Sequence, residues 1–269
     1  MVTVTEPSLG TRVRSGLFQA TTVVTFLFLY LPVVTIVYLS FSPGSQPSIP
    51  ISGASLEWYA AVFADARFVR GLVTSAVIGV IAATVGTVLG LLAARTITRS
   101  RLPGWVRGLV ALAVAVPLFV PTVVLALGIG VTAGTVGVGF GFLPVVLGHL
   151  FWVLPFSTFL LTARYAELND ALEEAARDLG ASGWTVFRTV TLPLLAPALV
   201  ASVLFTFALS FNEFLITFFL AGSGVTTMPL ELFGKVRVSA TSFLNAASTI
   251  VLLVSAAIAL AGTYLRTPT

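Results

Sequence analysis

Apolar residues in this chain gather into long unbroken blocks instead of alternating with polar ones. Leu17–Phe41, Gly71–Ala94, Leu109–Ala133, Phe142–Ala163, Leu194–Ala221 and Leu244–Leu265 each run for at least about 20 residues. That is the length an α-helix needs to cross the hydrocarbon core of a bilayer. The pattern predicts an all-α integral membrane protein with six transmembrane helices in a single domain over residues 1–269. The first block outruns the roughly 7–15 apolar residues of a signal peptide and lacks a small-residue cleavage site, so it is expected to remain as an anchor.

Two blocks carry internal punctuation. Pro117 and Pro121 stand four apart in the third, each removing a backbone donor and crowding the turn before it, with Gly128, Gly130, Gly134, Gly137, Gly139 and Gly141 following. A kinked or broken helix is expected there, which serves either packing or a translocation pathway. In the second block Gly86 and Gly90 form a small-residue face suited to close helix packing. Between the first two blocks, Ser55 is positioned to cap a short amphipathic segment with Glu57 in its first turn and Trp58, Tyr59 and Phe63 as anchors at headgroup level.

Composition agrees with the blocks: 57% of residues are hydrophobic and 9% charged, against about 25% charged in an ordinary soluble domain. The net charge of +4 does not form a basic face for nucleic acid, because the basic residues are scattered in short connections. Arg12, Arg14, Arg95, Arg99, Arg101, Arg107, Arg164, Arg177, Arg188 and Arg266 fall on one side of a six-span arrangement, and Arg67, Arg70, Lys235 and Arg237 on the other. The positive-inside bias then places both termini and the connection at about 164–193 in the cytoplasm. With no cysteine and one histidine, the chain offers no thiol chemistry and no histidine cluster. His149, mid-way along the fourth block, reads as a histidine satisfied by hydrogen bonds between helices, with a proton relay as the alternative, and is assigned no function.

The 164–193 connection carries the most specific signal. Glu174-Ala175-Ala176 is followed after three residues by Gly180, and after nine more by Val190, Thr191 and Leu192-Pro193. Asn169 or Asp170 is placed to cap a helix that Gly180 ends, and Ser182 to start another running through Trp184, Val186 and Phe187. Leu172, Ala175, Ala176 and Leu179 share one face of the first helix, making a low apolar ridge that a groove in another protein could seat. This spacing resembles the EAA loop of ABC importer permeases. From about Leu168 to Ser255, with Phe211-Asn212-Glu213-Phe214 and Met228-Pro229-Leu230, the chain resembles the second permease subunit of spermidine/putrescine-type importers. Leu56-Glu57-Trp58-Tyr59 extends the likeness more loosely to the first half.

The resemblance implies the type I ABC importer permease fold in a bacterial inner membrane. It also implies a second permease subunit of a different chain, two ATP-binding subunits, an extracytoplasmic solute-binding protein, and surrounding lipid. Glu174, Ala175, Ala176, Asp178, Leu179, Gly180, Leu192 and Pro193 would then couple to the ATPase. ATP and magnesium would sit on that partner, with no cofactor on this chain. Glu213 is the only acidic residue inside an apolar block. On a continuous fifth helix it would lie about 28 Å from the start. With Asn212, it is the candidate for the cargo path of a polyamine, or for a salt bridge to a partner subunit. Glu231, Lys235, Arg237 and Asn245 are expected on the outer face as a solvated rim or a contact for the binding protein. Iron, phosphonate, thiamine and organic-acid permeases share this framework, and a gradient-driven carrier is the alternative class. No phosphate loop, nucleophile elbow or zinc helix is present, so no catalytic residue is expected on this chain.

Overall fold

Four helical stretches are long and apolar enough to cross a membrane: Ser15–Leu39, Ala66–Arg99, Phe142–Glu167 and Gly183–Phe211. They belong to a computed structural model that describes residues 9–238 and 241–264. In chain order the helices are α1 (Leu9–Leu39), α2 (Glu57–Ala64), α3 (Ala66–Arg99), α4 (Gly104–Ala115), α5 (Thr122–Thr135), α6 (Phe142–Glu167), α7 (Asp170–Asp178), α8 (Gly183–Val186), α9 (Leu192–Phe211), α10 (Leu215–Leu220), α11 (Met228–Val238) and α12 (Ser242–Tyr264). No strand occurs among the described residues. The side chains of Arg12 and Arg14, and residues Leu265 and Arg266, lie outside the described residues.

Two of the expected crossings differ from simple rods. The third is bent by 106° between Gly104–Leu118 and Thr122–Thr135. A 3-10 turn over Val116–Leu118 holds Pro117, and Pro121 precedes α5, so two missing backbone donors fall where the helix gives way. The fifth does not run through to Ala221: α9 ends at Phe211, Asn212 caps it, and α10 starts afresh at Leu215. The sixth is represented by α12, Ser242–Tyr264, of which Ser242–Ile258 is an apolar stretch among the described residues. Among the described residues four helices are long and apolar enough to cross a membrane, or five with the bent pair counted as one span.

Contacts divide the chain into two compact units, Met1–Val62 with Val238–Val251, and Phe63–Arg237 with Leu252–Thr269. In the first, Ser40 Oγ lies 2.6 Å from Tyr59 Oη, the Phe41 and Tyr59 rings are 5.8 Å apart, and Ser242 N donates to Ser45 O at 3.1 Å. Ser55 Oγ accepts from Glu57 N at 3.1 Å, which starts α2 as the sequence suggested.

In the second unit α3 packs along both α6 and α9, and α5 packs on α10. Close approach of α3 to α6 rests on its glycines: a Cβ added at Gly86 would meet Val153 Cγ2 at 2.8 Å, and one at Gly90 would meet Ser157 Oγ at 2.3 Å and the backbone nitrogen of Thr158 at 3.0 Å. Beside them Ser202 Oγ of α9 bonds both Thr87 Oγ1 of α3 (3.1 Å) and Ser157 Oγ of α6 (2.9 Å), knitting three helices through buried hydroxyls. One apolar cluster joins Ile78, Ala126, Val145, Val146, Ile216 and Leu220; another joins Ala94, Leu161, Tyr165, Leu195 and Ala198.

Two of the charges expected on the outer face, Glu231 and Lys235, form ion pairs within this unit. Asp65 accepts from Arg67 N and Phe68 N, each at 3.0 Å, capping α3, and its other oxygen binds Lys235 of α11. Glu231, almost buried, takes Arg67 at 3.4 Å and the Thr226 hydroxyl at 2.8 Å. Asn245 belongs to the other unit.

Gly90→Ala is expected to lower the melting temperature of the purified protein, because the new methyl group overpacks the α3–α6 contact by about 1–3 kcal/mol. Gly108→Ala in α4, where an added Cβ meets nothing within 4 Å, is expected to raise it by the usual helix gain of about 0.5–1 kcal/mol. Equal effects of the two substitutions in thermal melts would contradict the packing. A second outcome concerns acid. The hydrogen bond from Lys235, helped by the Phe68 N–H, holds the Asp65 carboxyl below its ordinary value. Its stabilisation is therefore complete above the ordinary carboxylate range near about pH 4 and disappears as pH falls through the lowered folded value. Asp65→Asn should be less stable than wild type at neutral pH, and the gap should close in acid melts.

Candidate functional site

The α7 segment is shaped by its end residues. Asn169 accepts from Ala171 N at 3.0 Å to open α7, Leu179 closes it, and Gly180 follows with φ +88°. That left-handed conformation disfavours any residue with a Cβ, and a glycine adopts it at no steric cost. Ser182 then accepts from Thr185 N at 3.2 Å and opens α8. The expected helix, bend and second helix are all present.

The second helix does not stop before the membrane segment. Phe187–Thr191 forms a π-turn in which Leu192 N reaches back to Phe187 O, and the chain continues directly as α9. Pro193 accounts for the widening: it has no N–H to give, and its ring would crowd the carbonyl four residues back in a regular α-helix.

Anchorage of α7 comes from residues that sequence reasoning passed over. Glu173, 14% exposed, accepts from the buried Thr191 hydroxyl at 2.8 Å and from Arg177 at 2.9 Å. Arg99, at the end of α3, donates to Leu168 O at 2.8 Å and Tyr165 O at 3.2 Å and pairs with Asp170. Arg95 lies 4.5 Å from the centre of the Phe187 ring. Together they tie α3, the end of α6 and the π-turn to one short helix. Charge-assisted bonds of this kind are each about twice as strong as neutral ones.

What α7 leaves outside is the ridge. Glu174, Ala175, Asp178, Leu179 and Gly180 are exposed, Leu179 at 89%, with Leu172 at 49% and Trp184 at 68% beside them. Ala176 is partly turned inward. Leu192 and Pro193 lie at the start of α9, where they shape the return path. The ridge expected from spacing is thus formed by Leu172, Ala175 and Leu179.

The second candidate group sits at the break between α9 and α10. Asn212 is exposed and its side chain donates to Ala208 O at 2.9 Å. Glu213 stands beyond the end of α9 and not on a continuous helix, so its expected depth of about 28 Å along one axis does not apply. Its Oε1 accepts from Ile216 N at 2.8 Å, supplying the opening of α10 with an acceptor. No basic side chain pairs with it among the described residues. His149 bonds Ser210 and Thr217, as the hydrogen-bonded reading expected.

Residues 86–266 match the model of the family described as the binding-protein-dependent transport system inner membrane component. The chain belongs to this family. The permease is 30% identical over 235 residues to the spermidine/putrescine transport system permease protein PotC of Haemophilus influenzae, covering 87% of this chain and 90% of that one. It is 32% identical to the putrescine transport system permease protein PotI of Escherichia coli, covering 84% and 82%. Among solved structures it resembles a bacterial ABC transporter involved in import of the acidic polysaccharide alginate, with TM-score 0.73 at 17% identity over 94% of this chain and 96% of that one. It also resembles the inward-facing MetNI methionine ABC transporter, with TM-score 0.63 at 18% identity over 74% and 94%. The permease thus has the fold of type I ABC importer permeases.

One signal for the missed anchors was available. Glu173 and Arg177 stand at helical ion-pair spacing, which marked the side of α7 that turns inward. The partners Thr191 and Arg99 are too far along the chain to read. Gly180→Val is expected to cost at least about 1–2 kcal/mol locally through the positive φ and to speed amide hydrogen exchange over residues 170–178 of the purified permease. Gly183→Ala, whose Cβ would meet open space, should leave exchange there unchanged. Equal exchange in both variants would contradict the role of the bend.

Proposed function

We propose that this permease carries a polyamine such as spermidine or putrescine inward across a bacterial inner membrane, driven by ATP hydrolysed on another polypeptide. In this reading α7 lies in the cytoplasm and seats its Leu172, Ala175 and Leu179 ridge on an ATP-binding subunit, with Glu174, Asp178 and Gly180 beside it. A second permease, a second ATP-binding subunit and an extracytoplasmic solute-binding protein complete the importer, and ATP with magnesium stays on the ATP-binding subunits. The distribution of basic residues supports the orientation: Arg95, Arg99 and Arg177 gather around α7 and the π-turn, whereas Arg67 and Lys235 form their ion pairs beside the start of α3.

The observation that carries the cargo reading is Glu213. A carboxylate inside an apolar block is expensive against lipid, and among the described residues no cationic side chain pairs with this one. An ammonium group arriving in a water-filled path would supply the missing charge, with the exposed Asn212 amide alongside. The curated relatives named above are permeases of polyamine systems, and they point to the same class of cation.

The test is uptake by the importer reconstituted in vesicles with its neighbouring subunits, using putrescine and ATP. Glu213→Gln should raise KM by about tenfold or more, the worth of one hydrogen bond to a charged group, with the assembled complex recovered in normal amount. An unchanged KM would remove Glu213 from the path. Uptake by the isolated chain in response to an ion gradient alone would overturn the ATP-driven reading.

A further inference from the structure

The break between α9 and α10 is held by a residue from a third helix. His149 of α6, 1% exposed, places Nδ1 at 2.7 Å from Ser210 Oγ, two residues before the break, and Nε2 at 2.9 Å from Thr217 Oγ1, three residues after it. A neutral imidazole donates from one nitrogen and accepts at the other, and a hydroxyl can answer either role, so both bonds are satisfied in either tautomer. Next to it Gly148 lets α10 come close: an added Cβ would stand 2.4 Å from Ile216 Cγ2. Gly141 N donates to Leu220 O at 2.8 Å, fixing the far end of α10.

We infer that His149 is the positioning residue of the cargo site, holding α9 and α10 in register so that the Glu213 carboxylate stays where a cargo ammonium can meet it. The inference rests on the cargo-path reading of Glu213. Chain geometry gives the reason. Glu213 lies between Ser210 and Thr217 and is itself tied to α10 through Ile216 N. Any swing of α10 relative to α9 moves that carboxylate. The backbone over the break does not supply a continuous helical ladder, so the imidazole replaces it as the link. His149 touches no cargo in this arrangement; it acts through the two hydroxyls.

The experiment uses the assembled importer with putrescine as probe. His149→Ala should raise KM by about three- to tenfold, the worth of one or two buried hydrogen bonds, with Vmax per assembled complex changing less than about twofold. His149→Gln, whose amide keeps a donor and an acceptor, should recover part of the loss. His149→Ala combined with Glu213→Gln should be no worse than Glu213→Gln alone, because both act on one carboxylate. Independent, additive effects of the two changes would overturn the inference. A second readout is separate from transport. The chain has no cysteine, so Ile216→Cys, at a position with 0% exposure, gives a single maleimide site. Labelling should be slow with His149 present and about tenfold faster with His149→Ala. Unchanged labelling would overturn the staple even where KM moves. If Glu213→Gln leaves KM unmoved while labelling accelerates, the staple stands and the cargo reading fails. Should His149→Ala not accumulate, His149→Gln carries the same comparisons.

Discussion

A helix that breaks inside a bilayer must find partners for the backbone groups it frees, because lipid offers none. The second unit is organised by that constraint. At Pro117 and Pro121 the proline nitrogens have no hydrogen to satisfy, so two of the lost bonds are abolished instead of left open. At Phe187–Thr191 the ladder shifts to a five-residue reach ahead of Pro193. At Asn212–Phe214 the Glu213 carboxylate takes an amide of α10, and His149 binds the flanking hydroxyls. Each irregularity has its own chemical remedy.

The α7 elbow follows the same logic outside the apolar segments. Its exposed ridge is useful to a partner only if the helix does not fold away. Neither a helix of nine residues nor its apolar face would hold a position alone. Arg99 and Glu173 supply the missing rigidity, one grasping carbonyls at the end of α6 and the other the π-turn before α9. Short bonds thus join α7 to α3, to the end of α6 and to the π-turn that leads into α9.

How far the sequence disclosed this arrangement depended on the range of the interactions. Local signals were legible: Asn169, Gly180 and Ser182 punctuate α7 and α8 as their side chains require, and Gly86 with Gly90 marks the close face of α3. The prolines of the third block announced its bend. The fifth block gave no such warning, since Phe211-Asn212-Glu213-Phe214 contains neither proline nor glycine; the break coincides with the local Glu213 cap on Ile216 N and with the tertiary bonds of His149 to Ser210 and Thr217. Pairings across great separations, such as Asp65 with Lys235, 170 residues apart, and Glu173 with Thr191, 18 apart, leave no periodic trace. Residues judged merely solvated or uninvolved turned out to be the fasteners.

Polarity is also sorted by depth. Along α3, 34 residues and about 51 Å in length, the partners change from ions to hydroxyls and back to ions: Asp65 and Arg67 at the start, Thr87 in the middle, Arg99 at the end. Charge is expensive at mid-membrane, whereas a hydroxyl is satisfied by another hydroxyl or by a carbonyl without any net charge. His149 obeys the rule, being met by two hydroxyls and no ion. Glu213 breaks it. A carboxylate in an apolar block with no cationic side chain paired to it among the described residues is tolerated where water reaches it. In the proposed function, that placement, more than the acidity itself, is what fits Glu213 to meet a cationic cargo.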